Sequence, residues 1–174
     1  MTWLRGGRRL FSLMIEVALL CVLAAAFFVR TPQVSGRSMA PQIASGEYVL
    51  INTLAYHLHA PARGDIIAFR RDEDPASGIE PSVYIKRVIG LPHDLVAIRD
   101  GVVYVNGAAL DEPYVRFRDH DTFAAITVPA GDLYVLGDNR ADSEDSRVFG
   151  CVPERSVIGR AIAGIWPPRS LGNL

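Results

Sequence analysis

Val83-Tyr84-Ile85-Lys86-Arg87-Val88-Ile89-Gly90-Leu91-Pro92 reads as a strand running into a turn. β-branched and aromatic residues dominate as far as Ile89, and Gly90 with Pro92 ends the run. Period-two alternation puts Tyr84, Lys86 and Val88 on one face and Ile85, Arg87 and Ile89 on the other. An amine set between an aromatic and a β-branched neighbour is directed toward burial, which disfavours its charged form. Outward from this stretch, residues 48–51, 65–69, 95–99, 102–105, 133–136 and 157–165 carry the same strand signature. Asp100-Gly101 marks a tight hairpin between two of them, and Asn106-Gly107 marks a second turn. Residues 70–81, with Asp72-Glu73-Asp74-Pro75 and Ser77-Gly78, read as an exposed loop. No long 3.6-residue periodicity follows residue 30, so helices there should be short and the fold mainly β.

The N-terminus differs. Arg5, Arg8 and Arg9 precede an apolar run over residues 10–29, interrupted only by Ser12 and Glu16. A helix of that length spans roughly 30 Å, the thickness of a bilayer core. The arginines ahead of it predict a cytoplasmic segment at 1–9, a transmembrane anchor at 10–29 and an extracytoplasmic domain at 30–174. The expected location is a single-pass protein of the cell (inner) membrane. Ala24-Ala25-Ala26 could serve as a leader cleavage site, but the apolar run continues through Phe27, Phe28 and Val29. A retained anchor therefore fits better. Glu16 is a costly residue inside such a span.

Composition excludes several classes. A net charge of -1 with interspersed signs gives no basic stripe for nucleic acid. Cys21 and Cys151 make no disulfide framework, and no His/Cys cluster has metal-ligand spacing, so neither metal nor cofactor is expected. Of the 18 basic residues, Lys86 is the one lysine. Codon bias accounts for arginine elsewhere. A lysine is irreplaceable where an amine must lose its proton, because arginine does not.

Three further segments could carry chemistry. In Val34-Ser35-Gly36-Arg37-Ser38-Met39-Ala40-Pro41, glycine permits a tight turn and proline restricts the chain after it. Ser38 could there present its hydroxyl and its amide, although the string also reads as a plain turn. Arg63-Gly64-Asp65-Ile66-Ile67-Ala68-Phe69 reads as a turn entering a buried scaffold strand. In the polar stretch from Gly137 to Gly150, Asp145 and Arg147 suit a bidentate pair that locks a loop. The Ser143 hydroxyl could orient a neutral amine, while a solvated or calcium-type acidic loop is the other reading of that stretch.

Taken together and in this order, the segments resemble the conserved boxes of type I signal peptidases. Ser38-Met39 with Pro41, Gly64-Asp65-Ile66, Lys86-Arg87-Val88-Ile89-Gly90, and Gly137-Asp138-Asn139 with Ser143, Asp145-Ser146-Arg147 and Gly150 carry the likeness. The resemblance implies a signal-peptidase-like antiparallel β-sheet catalytic domain behind one transmembrane helix. It implies a serine endopeptidase with Ser38 as nucleophile and Lys86 as general base. Ser143 would hydrogen-bond Lys86, Asp145 and Arg147 would support the walls, and the Ser38 amide would face the oxyanion. Val34, Met39, Tyr84 and Ile85 would line apolar pockets for small side chains, as in Ala-x-Ala substrates. The implied partners are preprotein signal peptides and the lipid bilayer, met by a monomer without cofactor.

Gly36 stands where some members carry a serine as second oxyanion donor, His93 where glycine is usual and Phe149 where tryptophan is common. The short 107–131 segment implies a compact member without a large accessory β-domain. A specialised maturation protease using the same pair is one alternative. A membrane-tethered β-domain that only binds a partner is another, disfavoured because every group the chemistry needs is present.

Overall fold

The computed structural model describes residues 11–20, 28–71, 82–167 and 172–173. Residues 11–20 form a helix, α1, whose side chains are exposed. The rest of the expected anchor up to residue 27 lies outside the described residues, and among those described no helix is long and apolar enough to cross a membrane. One boundary changes. Val29, read as the last residue of the span, belongs with Arg30 to a strand, β1, paired antiparallel to β2 (Tyr48–Asn52).

The remaining elements alternate short strands with turns, as the lack of helical periodicity predicts. After β2 come the four-residue helix α2 (Ala55–Leu58), then β3 (Ile66–Arg71) and β4 (Ser82–Gly90). Next are β5 (Leu95–Arg99), β6 (Val102–Val105), β7 (Ala108–Ala109), β8 (Phe123–Thr127) and β9 (Asp132–Leu136). The chain continues through α3 (Ser146–Phe149), β10 (Val152–Pro153), β11 (Val157–Trp166) and β12 (Gly172–Asn173). Asp100-Gly101 and Asn106-Gly107 all have positive φ and turn β5 into β6 and β6 into β7. Both hairpins are where the dipeptides put them.

Two antiparallel sheets result. The larger has the order β1-β2-β11-β3-β4-β9-β10, with β12 on β11, and the smaller has β7-β6-β5-β8. The 107–131 segment thus contributes only short strands to a small second sheet. β3 shows why the larger sheet reads as an apolar run rather than an alternation. Ile66 and Ala68 enter one cluster with Met39, Ile43, Val49, Ile51 and Ala161. Ile67 and Phe69 enter another with Val88, Leu133, Val135 and Val152. A strand buried on both faces has no polar side. A third cluster, around Ile89, Val96, Ile98, Tyr134 and Leu136, joins the two sheets. Lys86 opposes Ile67 on β3, and Arg87 opposes Leu136 on β9, so the strand quoted first lies inside the larger sheet.

Placing β1 in the sheet fixes where the expected anchor could be cut away. A chain beginning at residue 28 should fold, whereas one beginning at residue 31 loses the β1–β2 ladder and the bonds from Thr53 N–H and Oγ to the Phe28 carbonyl. At about 1 kcal/mol net per hydrogen bond, urea unfolding should find the shorter chain less stable by about 2–4 kcal/mol.

Candidate active site

Ser38 sits on a turn held from both sides. Gly36 adopts φ 100° to start it. Ala40 N–H donates to the Arg37 carbonyl at 3.0 Å and Ile43 N–H to the Met39 carbonyl at 2.9 Å. The buried Met39 and Ile43 side chains pin the turn to the core. From across the site, Asn139 N–H donates to the Ser38 carbonyl at 2.9 Å and its side-chain amide to the Arg37 carbonyl at 3.1 Å. Gly137 makes this close approach possible, since a Cβ there would stand 2.5 Å from the Ser38 carbonyl oxygen and 2.2 Å from Ser143 Oγ. Among the described residues the Ser38 N–H has no acceptor.

Lys86 reaches this turn from β4. Its Nζ donates to Ser38 Oγ at 2.6 Å and stands 5.8 Å from the Tyr84 ring centroid. The residue is 3% exposed. Burial pushes the amine down from its ordinary 10.5 to about 8, against the upward pull of Asp145, Glu144 and Asp138 and with some help from Arg147. A buried amine poised to be neutral, in hydrogen-bond contact with a half-buried serine, is the arrangement a nucleophile and its base require.

The pair opens onto a groove of about 450 Å³ bounded by the chain around Ser38 and the first half of β4. Val34, Tyr84 and Ile85 line it, as expected. Met39 lines it too, from the core side, at 2% exposure. Ser143 departs from expectation: its Oγ is buried, makes no hydrogen bond among the described residues, and does not bond Lys86. It faces Gly137, which brings it beside the pair without joining it.

Behind the pair lie three buried arginine–carboxylate clamps, one of which the sequence suggested. Arg147 grips Asp145 through Nε and Nη2, both at 2.8 Å, and also contacts Asp119. Asp145 in turn accepts from Gly137 N–H at 3.1 Å. The other two join residues far apart in sequence. Arg87 holds Asp138 through Nε at 2.8 Å and Nη2 at 2.6 Å, and donates to the Gly64 carbonyl at 2.8 Å. Arg140 holds Glu112. Gly64-Asp65 proves to be scaffold, with Gly64 N–H and the Asp65 carbonyl tying the turn to Val88. Alternation on β4 put Arg87 opposite Lys86, but nothing local named a carboxylate 51 residues away.

Paired arginine and carboxylate buried together stabilise little by themselves, but losing one partner is costly. Arg87→Met, which leaves Asp138 uncompensated at 0% exposure, should lower stability by about 3–5 kcal/mol in denaturant unfolding. Arg37→Ala, at the exposed pair with Asp142, should leave stability nearly unchanged.

Residues 7–166 match the family model described as signal peptidase, peptidase S26. The probable signal peptidase I-1 of Synechocystis sp. is 36% identical over 164 residues, covering 92% of this chain and 84% of that protein. The signal peptidase I of Leptolyngbya laminosa is 37% identical over 151 residues, covering 85% and 74%. A crystal structure of a signal peptidase I from Enterococcus faecalis shares 37% identity, covers 57% of this chain and 95% of that one, and has a TM-score of 0.47. With nearly its whole length matched, this chain belongs to the signal peptidase family, peptidase S26.

Proposed function

We propose that the protein is a membrane-anchored serine endopeptidase that removes signal peptides from exported preproteins, with Ser38 as nucleophile and Lys86 as general base. The 2.6 Å contact between a buried lysine and a serine at the edge of a groove carries this reading. Neutral Lys86 takes the Ser38 proton as Oγ attacks the scissile carbonyl. The oxyanion that forms receives the Ser38 N–H, the donor without an internal acceptor. The protonated lysine then gives its proton to the departing amine, and the peptide bond breaks to leave an acyl-serine. Lys86 next deprotonates a water, which attacks the ester and releases the signal peptide with Ser38 restored.

The walls supply the specificity. Val34, Tyr84 and Ile85 give the groove a largely apolar lining in which small side chains fit, in keeping with cleavage after Ala-x-Ala. The apolar run that begins at residue 10 and ends before β1 holds a monomer in the cell membrane, N-terminus in the cytoplasm, with the domain on the far side where translocated preproteins emerge. The deciding experiment incubates the full chain in detergent with a preprotein and sequences the mature product. The expected new N-terminus follows an Ala-x-Ala triplet, and a cut elsewhere, or none, overturns the proposal.

A further inference from the structure

On the side of the larger sheet where β1 begins, a recess of about 630 Å³ is lined by Arg30, Arg70, Arg155, His57 and Thr53, with no carboxylate in its lining among the described residues. The three arginines come from β1, β3 and the turn before β11, so the topology alone gathers them. All three are exposed, and none has an ion-pair partner among the described residues. Their neighbours are otherwise matched: Arg71 pairs with Glu144 and Arg160 with Asp65. Three like charges around one hollow repel unless an anion lies between them.

An adjoining recess of about 370 Å³ shares Arg30, Arg70 and Ile158 with the first and is walled by Ile51, Ala68 and Val83. Cations beside an apolar hollow fit a ligand with an anionic head and a hydrocarbon body. The position narrows the choice. Phe28, where the described domain begins after residues 21–27, borders the arginine recess. Thr53 fixes the Phe28 carbonyl at 2.8 Å. The apolar recess in turn shares Pro32 and Val83 with the Ser38 groove.

We infer that Arg30, Arg70 and Arg155 form a binding site for the phosphate of an anionic phospholipid, its first acyl carbons resting on Val83 and Ile158. The inference rests on the anchored orientation proposed above, because that is what brings this face to a bilayer. A headgroup held here sets the height of the domain over the membrane and so the level at which the groove meets an emerging signal peptide.

The test uses the full chain in a neutral detergent and counts bound lipid by native mass spectrometry. Wild type should retain phosphatidylglycerol over phosphatidylcholine by roughly tenfold or more, since each arginine near an anionic surface strengthens binding severalfold. A combined Arg30→Gln, Arg70→Gln, Arg155→Gln variant should lose most of that preference, keeping only what Arg5, Arg8 and Arg9 supply, while lysines at the same positions should keep it. Equal preference in wild type and the glutamine variant overturns the site. So does displacement of the lipid by millimolar inorganic phosphate, which would mark a site for free anions. Cleavage of a short peptide in lipid-free detergent should be alike in wild type and variant, and a selective loss in the variant would mean that the arginines read substrate instead. Absence of cleavage in both proteins would count against the peptidase reading alone and leave the lipid result to stand by itself.

Discussion

Lys86→Arg is expected to lower preprotein cleavage by about 10⁴-fold or more while the protein stays folded. Arginine keeps the charge and the reach but cannot surrender a proton, so Ser38 loses its base. Lys86→Met should be equally inactive, yet the two variants should differ in stability. The amine is lowered from 10.5 to about 8, which corresponds to about 3 kcal/mol. Below pH 8 the folded and unfolded states both carry the proton, and the folded state bears that full cost. Between about 8 and 10.5 the folded state is neutral first, so wild-type stability rises with pH, and above that range the cost is gone. Methionine removes the cost at pH 7 and should raise the unfolding free energy by about 2–3 kcal/mol, whereas arginine retains a buried charge and should not. Wild-type kcat/KM should climb with pH through a single ionisation near 8, and chelators should leave it unchanged. A Lys86→Arg enzyme with substantial turnover would sink the assignment.

Ser38→Ala should be as severe, at about 10⁴-fold or more below wild type, for a different reason. Its turn is held by bonds from the Asn139 backbone and side chain and by the buried Met39 and Ile43, none of which uses the hydroxyl. The variant should therefore unfold at nearly the wild-type denaturant concentration. Groups acting as one unit lose activity together, so Ser38→Ala combined with Lys86→Met should be no slower than either alone. Multiplicative losses in the double variant would mean that the serine and the lysine serve separate steps. The measurement is single-turnover cleavage of a preprotein at matched, saturating enzyme.

What the residues disclosed in advance follows from how local each signal is. The strands 95–99 and 102–105, with the turn between them, were legible to the residue because alternation and Asp100-Gly101 act over neighbouring positions. β8 was not: Phe123-Ala124-Ala125-Ile126-Thr127 has two alanines of weak strand preference and no fully buried side chain, so only its pairing with β5 makes it a strand. Val29 was assigned to the anchor because a strand residue and a membrane residue share the same hydrophobicity. At the site, Ser38, Lys86 and the Asp145–Arg147 clamp could be named because motif spacing or short separation carried them. Arg87–Asp138 and Arg140–Glu112 could not, since the partner of a buried charge is chosen by topology. Ser143 was named because its hydroxyl could orient a neutral amine, a role the resemblance also implied, and its burial without a hydrogen bond among the described residues is a fact only coordinates supply.

The clamps behind the nucleophile also bear on how the molecule breathes. Gly137 N–H is locked to Asp145 and Asn139 N–H to the Ser38 carbonyl, and Asp145 is itself gripped by Arg147. The Asn139 amide meets solvent deuterium only when the 137–147 loop leaves the Ser38 turn, and the Gly137 amide only when that loop itself opens. Both should exchange in step with the slowest amides of β4 and β9, through global rather than local opening. Weakening the Arg147 clamp should then release protection at Asn139, across the site, as well as at Gly137. The groove beside Ser38 would thus be rigid on the time scale of hours, a mould that does not yield to what enters it.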